Sequence, residues 1–109
     1  MLKKESRLSR VEIQTLKSSS KQNKIIQGRF FGLIYQKTDR LGKFGLIISN
    51  KVVAKAVERN RIKRLLYSAI GATLSFFNGR FLFLAKRNCG DGNLEEFKKE
   101  TENFKRKII

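Results

Sequence analysis

At 109 residues the chain has room for one modest core and not two. It carries 25 Lys and Arg against nine Asp and Glu, a net charge of +16, with no histidine and one cysteine. Such self-repulsion calls for an anionic partner, the missing histidines exclude histidine-based acid–base work, and the lone Cys89 excludes an internal disulfide. No run approaches the ~20 apolar residues of a membrane span, and MLKKESRLSR lacks the apolar stretch of a secretory signal. The expectation is a cytoplasmic protein that meets nucleic acid and no membrane.

Residues 1–8 read as a basic arm on a single domain spanning 1–109. Ser9 with Glu12 three residues on is a capping box, and Ile13 and Leu16 follow at helical spacing, predicting a helix over 10–18. Ser18 to Lys24 read as a polar loop. Residues 28–36 (GRFFGLIYQ) predict a strand with Phe31, Leu33 and Tyr35 on one side and Phe30, Gly32 and Ile34 on the other. Thr38 to Gly42 supply turn chemistry, and a second strand over 43–49 completes a hairpin.

The chain then enters its densest cationic block, KVVAKAVERNRIKR from Lys51 to Arg64, whose sole acid is Glu58. A helix is expected over 55–77. At 100° per residue, Ile62, Leu65, Leu66, Ala69, Thr73 and Phe76 gather on one stripe. Asn60, Lys63, Arg64 and Tyr67 point away from it, and Arg59 and Arg61 sit at its borders. Side-chain pairing along the helix needs acids, and with Glu58 alone a merely solvated charged face is a poor explanation. The ridge suits a polyanion, where each neutralised phosphate releases counterions.

A third strand, 80–86, is nearly all apolar and so expected inside the sheet. Asn93 with Glu96 caps a last helix, where Leu94, Phe97, Thr101, Phe104 and Ile108 form an apolar stripe. Acids at its start and Lys105, Arg106 and Lys107 at its end suit the helix dipole.

Hydrolytic chemistry on RNA wants clustered carboxylates or a histidine pair, and neither accompanies the ridge. Phe31 and Tyr35, flanked by Arg29 and Lys37, could stack bases or serve as core.

KVVAKAVERNRIKRLL, with Arg59-Asn60-Arg61 followed by Ile62-Lys63-Arg64-Leu65, closely resembles the signature of the bacterial ribonuclease P protein subunit. Arg7-Leu8, Gly45, Ser49, Lys51 and the strand ending Leu84-Ala85-Lys86 fit the same pattern. The resemblance implies an α+β fold, a small two-layer sandwich of order α-β-β-α-β-α. It has the left-handed βαβ crossover of the ribosomal protein S5 domain 2-like type, against the right-handed default. It implies a non-catalytic subunit of an endoribonuclease whose RNA removes the 5′ leader of precursor tRNA with Mg²⁺, the protein itself binding no cofactor. Its partners would be that catalytic RNA and precursor tRNA. Lys51, Lys55, Arg59, Asn60, Arg61, Lys63 and Arg64 would grip the RNA. A groove between the first helix and the sheet, with Ile13, Lys17, Phe31 and Tyr35, would hold the leader. The first helix offers Ile13 and Leu16 or Lys17 where relatives usually place aromatics, and Tyr67 stands where many have arginine. The alternative is a structural RNA-binding protein such as a ribosomal component; a self-sufficient nuclease ranks last.

Overall fold

The structure, a computed structural model, describes residues 7–18, 23–74 and 77–108. The expectations placed on residues 1–6, on 19–22 of the polar loop and on Phe76 lie outside these. In chain order the elements are α1 (Arg10–Ser18), β1 (Lys24–Gln27), β2 (Phe31–Leu41), β3 (Lys43–Ile47), α2 (Ala56–Thr73), β4 (Asn78–Ala85), a 3₁₀ turn (Arg87–Asp91) and α3 (Leu94–Ile108). The expected order holds, with β1 added.

The four strands form one sheet in the order β1-β2-β4-β3. β4 pairs antiparallel with β2, Leu33 opposite Phe83, and parallel with β3, Phe44 opposite Phe81. The parallel pair makes β3–α2–β4 a βαβ unit, and β4 is interior as its apolar run suggested. The expected hairpin between residues 28–36 and 43–49 does not form. β2 continues through the Thr38–Arg40 turn residues to Leu41, its register on β4 breaking between Gln36 and Leu41. β4 then separates β2 from β3. The hairpin that does form joins β1 to β2, Ile26 opposite Leu33.

Pleating sends alternate residues to opposite faces. Phe31, Leu33, Phe44, Phe81 and Phe83 face α2 and α3, meeting Ile62, Leu66, Ile70, Phe97 and Phe104 in the main core. The rings touch edge-on or tilted, as Phe31 does against Phe97 with centroids 5.0 Å apart. On the other face a smaller cluster gathers Leu8, Leu16, Ile34 and Leu82 under α1. Of the basic arm, Leu8 donates its N–H to the Phe44 carbonyl at 2.9 Å and Arg7 bridges to Phe44 as a short parallel extension. Gly45 makes room for this: a Cβ there would lie 3.1 Å from Leu8 Cδ1.

Both predicted helix starts are built as expected. The Ser9 N–H donates to Glu12 Oε1 at 3.1 Å and the Glu12 N–H to Ser9 Oγ at 3.2 Å. The Glu96 N–H reaches Asn93 Oδ1 at 2.9 Å. An unpredicted clamp closes the far end. The buried Glu100 carboxylate accepts three successive backbone N–H groups, from Arg29 (2.5 Å), Phe30 (2.9 Å) and Phe31 (2.8 Å). It thereby fixes the β1–β2 turn to α3 in a site where unpaired donors would be costly.

Candidate nucleic-acid interface

The basic ridge takes shape at the crossover from β3 to α2. Ser49 organises the loop, its carbonyl accepting from Val52 (3.1 Å) and Val53 (3.0 Å) and its hydroxyl from Val52 (3.3 Å). Lys55 then precedes α2 with extended backbone and no side-chain cap. Ile62, Leu66, Ala69 and Ile70 bury the inner face of the helix, so residues between them must turn outward.

The seven residues expected to grip RNA divide into two groups. Lys51, Lys55, Asn60, Lys63 and Arg64 are exposed, and none forms an ion pair with a described residue. Arg59 and Arg61 are half-buried and engaged within the protein. Arg59 Nη1 donates to the carbonyls of Val53 and Ala54, both at 2.8 Å, closing the crossover loop onto α2. Arg61 pairs with Glu58 at 3.0 Å and donates to the Gly90 carbonyl at 3.1 Å, fastening the 3₁₀ turn. These two arginines shape the surface that the other five present. The 3₁₀ turn also buries Cys89, where burial pushes the thiol above its usual range, and the Arg61 charge opposes this only in part.

Tyr67 departs from its expected outward placement. It is 4% exposed and belongs to the main core. The Arg7 guanidinium lies 5.6 Å from its ring centroid and the Lys63 ammonium 5.8 Å. Burial raises the Tyr67 pKa and the Arg7 charge works against that rise. Helical periodicity could not foresee this, because the covering charge comes from a residue 60 positions away in sequence. Arg7 itself is the site residue that sequence reasoning left out of the ridge. It joins Val57, Asn60, Lys63 and Arg64 around a pocket of about 350 Å³.

The residues expected along a second, groove-like site are not brought together. Phe31 is fully buried against Phe83 and Phe97, and Tyr35 packs on Phe81 with centroids 4.9 Å apart. Both point toward α2 and α3. Ile13 and Lys17 lie on α1, beyond the opposite face. The alternation along β2 was read correctly; the side on which α1 packs was not. On the α1 side the sheet carries three rows. Gln36, Arg80 and Lys43 form a polar row, held by Glu12, which lies 3.4 Å from both Arg80 Nε and Lys43 Nζ. Ile34, Leu82 and Gly45 form the row covered by Leu8 and Leu16. Gly32, Leu84 and Ile47 form a third, in which Leu84 and Ile47 stay half-buried. Burial alone would raise the Glu12 carboxyl, but the Ser9 N–H and hydroxyl and the Lys43 ammonium together hold it below its usual value.

Among the described residues no three His, Cys, Asp or Glu side chains gather as metal ligands, and no helix is long and apolar enough to cross a membrane. Glu12, Glu58 and Glu100 are all engaged by backbone or cationic partners.

Comparison with known proteins agrees with this arrangement. The family model for Ribonuclease P matches residues 2–109. The fold is similar to that of the RNase P protein of Staphylococcus aureus, at TM-score 0.77 and 18% identity over 94% of each chain. It is similar also to the RNase P protein from Thermotoga maritima, at TM-score 0.76 and 17% identity over 94% of this chain and 97% of that one. Comparison with curated protein sequences finds no match.

Proposed function

The chain belongs to the Ribonuclease P family, which makes it a protein subunit of an endoribonuclease, and from that premise we propose how it works. It binds the catalytic RNA through the cationic face of the crossover loop and α2, with Lys51, Lys55, Asn60, Lys63 and Arg64 in contact. Arg59 and Arg61 hold that face in shape from within. The holoenzyme removes the 5′ leader of precursor tRNA in the cytoplasm. Mg²⁺ belongs to the RNA subunit, and this chain contributes affinity and positioning.

The observation that carries the reading is the sorting of charge on α2. Lys51 and Lys55 in the crossover loop and Asn60, Lys63 and Arg64 on the outer side of α2, whose inner side is core, are all exposed and without an ion-pair partner among the described residues. Unpaired cations crowded on one surface repel each other until an anion arrives, and a regular polyanion meets several at once. For the leader strand we place the contact on the α1 side of the sheet. There Ile13, Lys17, Ile47 and Leu84 offer apolar surface beside charge, and no aromatic platform is involved.

Combining the protein with its matching catalytic RNA at low Mg²⁺ should restore cleavage of precursor tRNA. Cleavage equally slow with and without the protein would overturn the assignment. If the protein instead sediments with ribosomes and its depletion leaves tRNA maturation unchanged, the structural RNA-binding reading takes its place.

A further inference from the structure

Arg7 is held in an unusual way. Its backbone is tied to β3 through the bridge to Phe44 and the neighbouring Leu8 hydrogen bond. Its guanidinium is drawn over the Tyr67 ring. Yet its Nε–H, shielded from solvent, has no hydrogen-bond acceptor among the described residues. A shielded, unsatisfied donor on a cation is costly, and native structures seldom leave one without a reason. Among the described residues the pocket beside it is lined by Lys63, Arg64, Asn60 and Val57 and by no carboxylate. Glu58, the one acid in this stretch of sequence, is turned to Arg61. Three cations and an amide therefore converge on a cavity of about 350 Å³ with no counter-charge among the described residues that line it.

We propose that this pocket is the seat of a single RNA backbone phosphate, gripped jointly by Arg7 from the N-terminal arm and by Asn60, Lys63 and Arg64 from α2. The inference rests on the RNA-binding reading above and deepens it, by locating one phosphate and giving the arm a part in holding it. Tyr67 is a positioning residue here. Its buried ring lies under both Arg7 and Lys63, and an aromatic face holds such cations without neutralising them. A planar guanidinium can offer two parallel donors to phosphate oxygens, which an ammonium cannot. Val57, 75% exposed at the rim, provides an apolar edge for the adjoining sugar.

Two measurements test this. In the first, the free protein is titrated with inorganic phosphate at constant ionic strength, with dimethyl phosphate as the diester probe, while backbone amide signals are followed. Saturable shifts at Arg7, Asn60, Lys63 and Arg64 are expected with both probes, weakened about tenfold by Arg7→Gln. Tyr67→Phe, which keeps the ring, should bind as the parent does, and Tyr67→Leu should bind less well. Shifts of equal size at Lys99 and Arg106 on α3, or unchanged affinity in a folded Arg7→Gln variant, would reduce the seat to a diffuse ion atmosphere and overturn the proposal. Shifts with inorganic phosphate alone would overturn the RNA backbone as its occupant. If Arg7→Gln does not fold, Arg7→Lys takes its place, with the same weakening expected from loss of the fork.

In the second, the salt dependence of binding to the RNA subunit is compared for Arg7→Gln, Arg64→Gln and the double variant. Each single change should lower the slope by about one counterion. Because both residues hold the same phosphate, the double change should cost less affinity than the sum of the two. Strict additivity would show two separate contacts and sink the shared seat, while rescue of precursor tRNA cleavage would still uphold the protein's role in the holoenzyme.

Discussion

The two faces of the sheet are built from different materials. Toward α2 and α3 lie Phe31, Phe44, Phe81 and Phe83, interlocked with Phe97 and Phe104. Toward α1 lie Leu8, Ile34 and Leu82 under Leu16, bordered by the half-buried Ile13, Ile47 and Leu84. Large rings pack against one another on the first face; the second face is covered by a smaller cluster and leaves Ile13, Ile47 and Leu84 only half-buried. One face supplies stability, and the other, with the outer side of α2, is available for binding.

Substitutions should separate these roles. The largest effect is expected from Phe83→Ala on the interior strand, where a fully buried ring leaves a cavity. Unfolding in denaturant should show a loss of about 3–5 kcal/mol. Glu100→Gln comes next, because three backbone donors lose their carboxylate, at about 2–3 kcal/mol by the same measurement. A loss no larger than that of an exposed α3 substitution would mean that the clamp contributes nothing. On the ridge, Arg59→Ala removes two hydrogen bonds to the Val53 and Ala54 carbonyls and should cost about 1–2 kcal/mol of stability. Arg64→Ala should stay within about 0.5 kcal/mol while flattening the salt dependence of RNA binding by about one counterion. Reversed behaviour of these two arginines would break the division between shaping and contacting residues.

Acid provides the smallest and most local test. The Glu12 carboxyl titrates below its usual 4.5 in the folded chain. Its contribution is therefore present above that value and lost as pH falls through the lowered one. Between those limits the parent protein should lose stability that Glu12→Gln never had, and the loss should appear first in α1. Parallel stability curves for the two proteins below pH 4.5 would show that Glu12 does not hold α1 to Lys43 and Arg80.

How legible all this was in the sequence depended on the range of each interaction. The Ser9–Glu12 and Asn93–Glu96 caps use partners three residues apart, and both were read correctly. The inner stripe of α2 was legible as far as Ala69 because it depends on periodicity alone. β1 escaped because four residues, KIIQ, carry too little pattern to stand out from a polar loop. The hairpin was misassigned because turn chemistry at Thr38–Gly42 is local, whereas the insertion of β4 between β2 and β3 is not. Tyr67 and Arg7 fall in the same class: each looks ordinary until β3 brings the arm across to α2. The destination of Phe31 and Tyr35 required knowing which face α1 would cover, and alternation cannot supply that.

The last strand in the chain is an interior one. While the polypeptide is being made, β2 and β3 leave the ribosome with no ladder between them, and β4 completes the sheet only after α2 has emerged. The Glu100 carboxylate that fastens the β1–β2 turn arrives later still. The nascent polycation is therefore surrounded by ribosomal and messenger RNA before it has a finished scaffold.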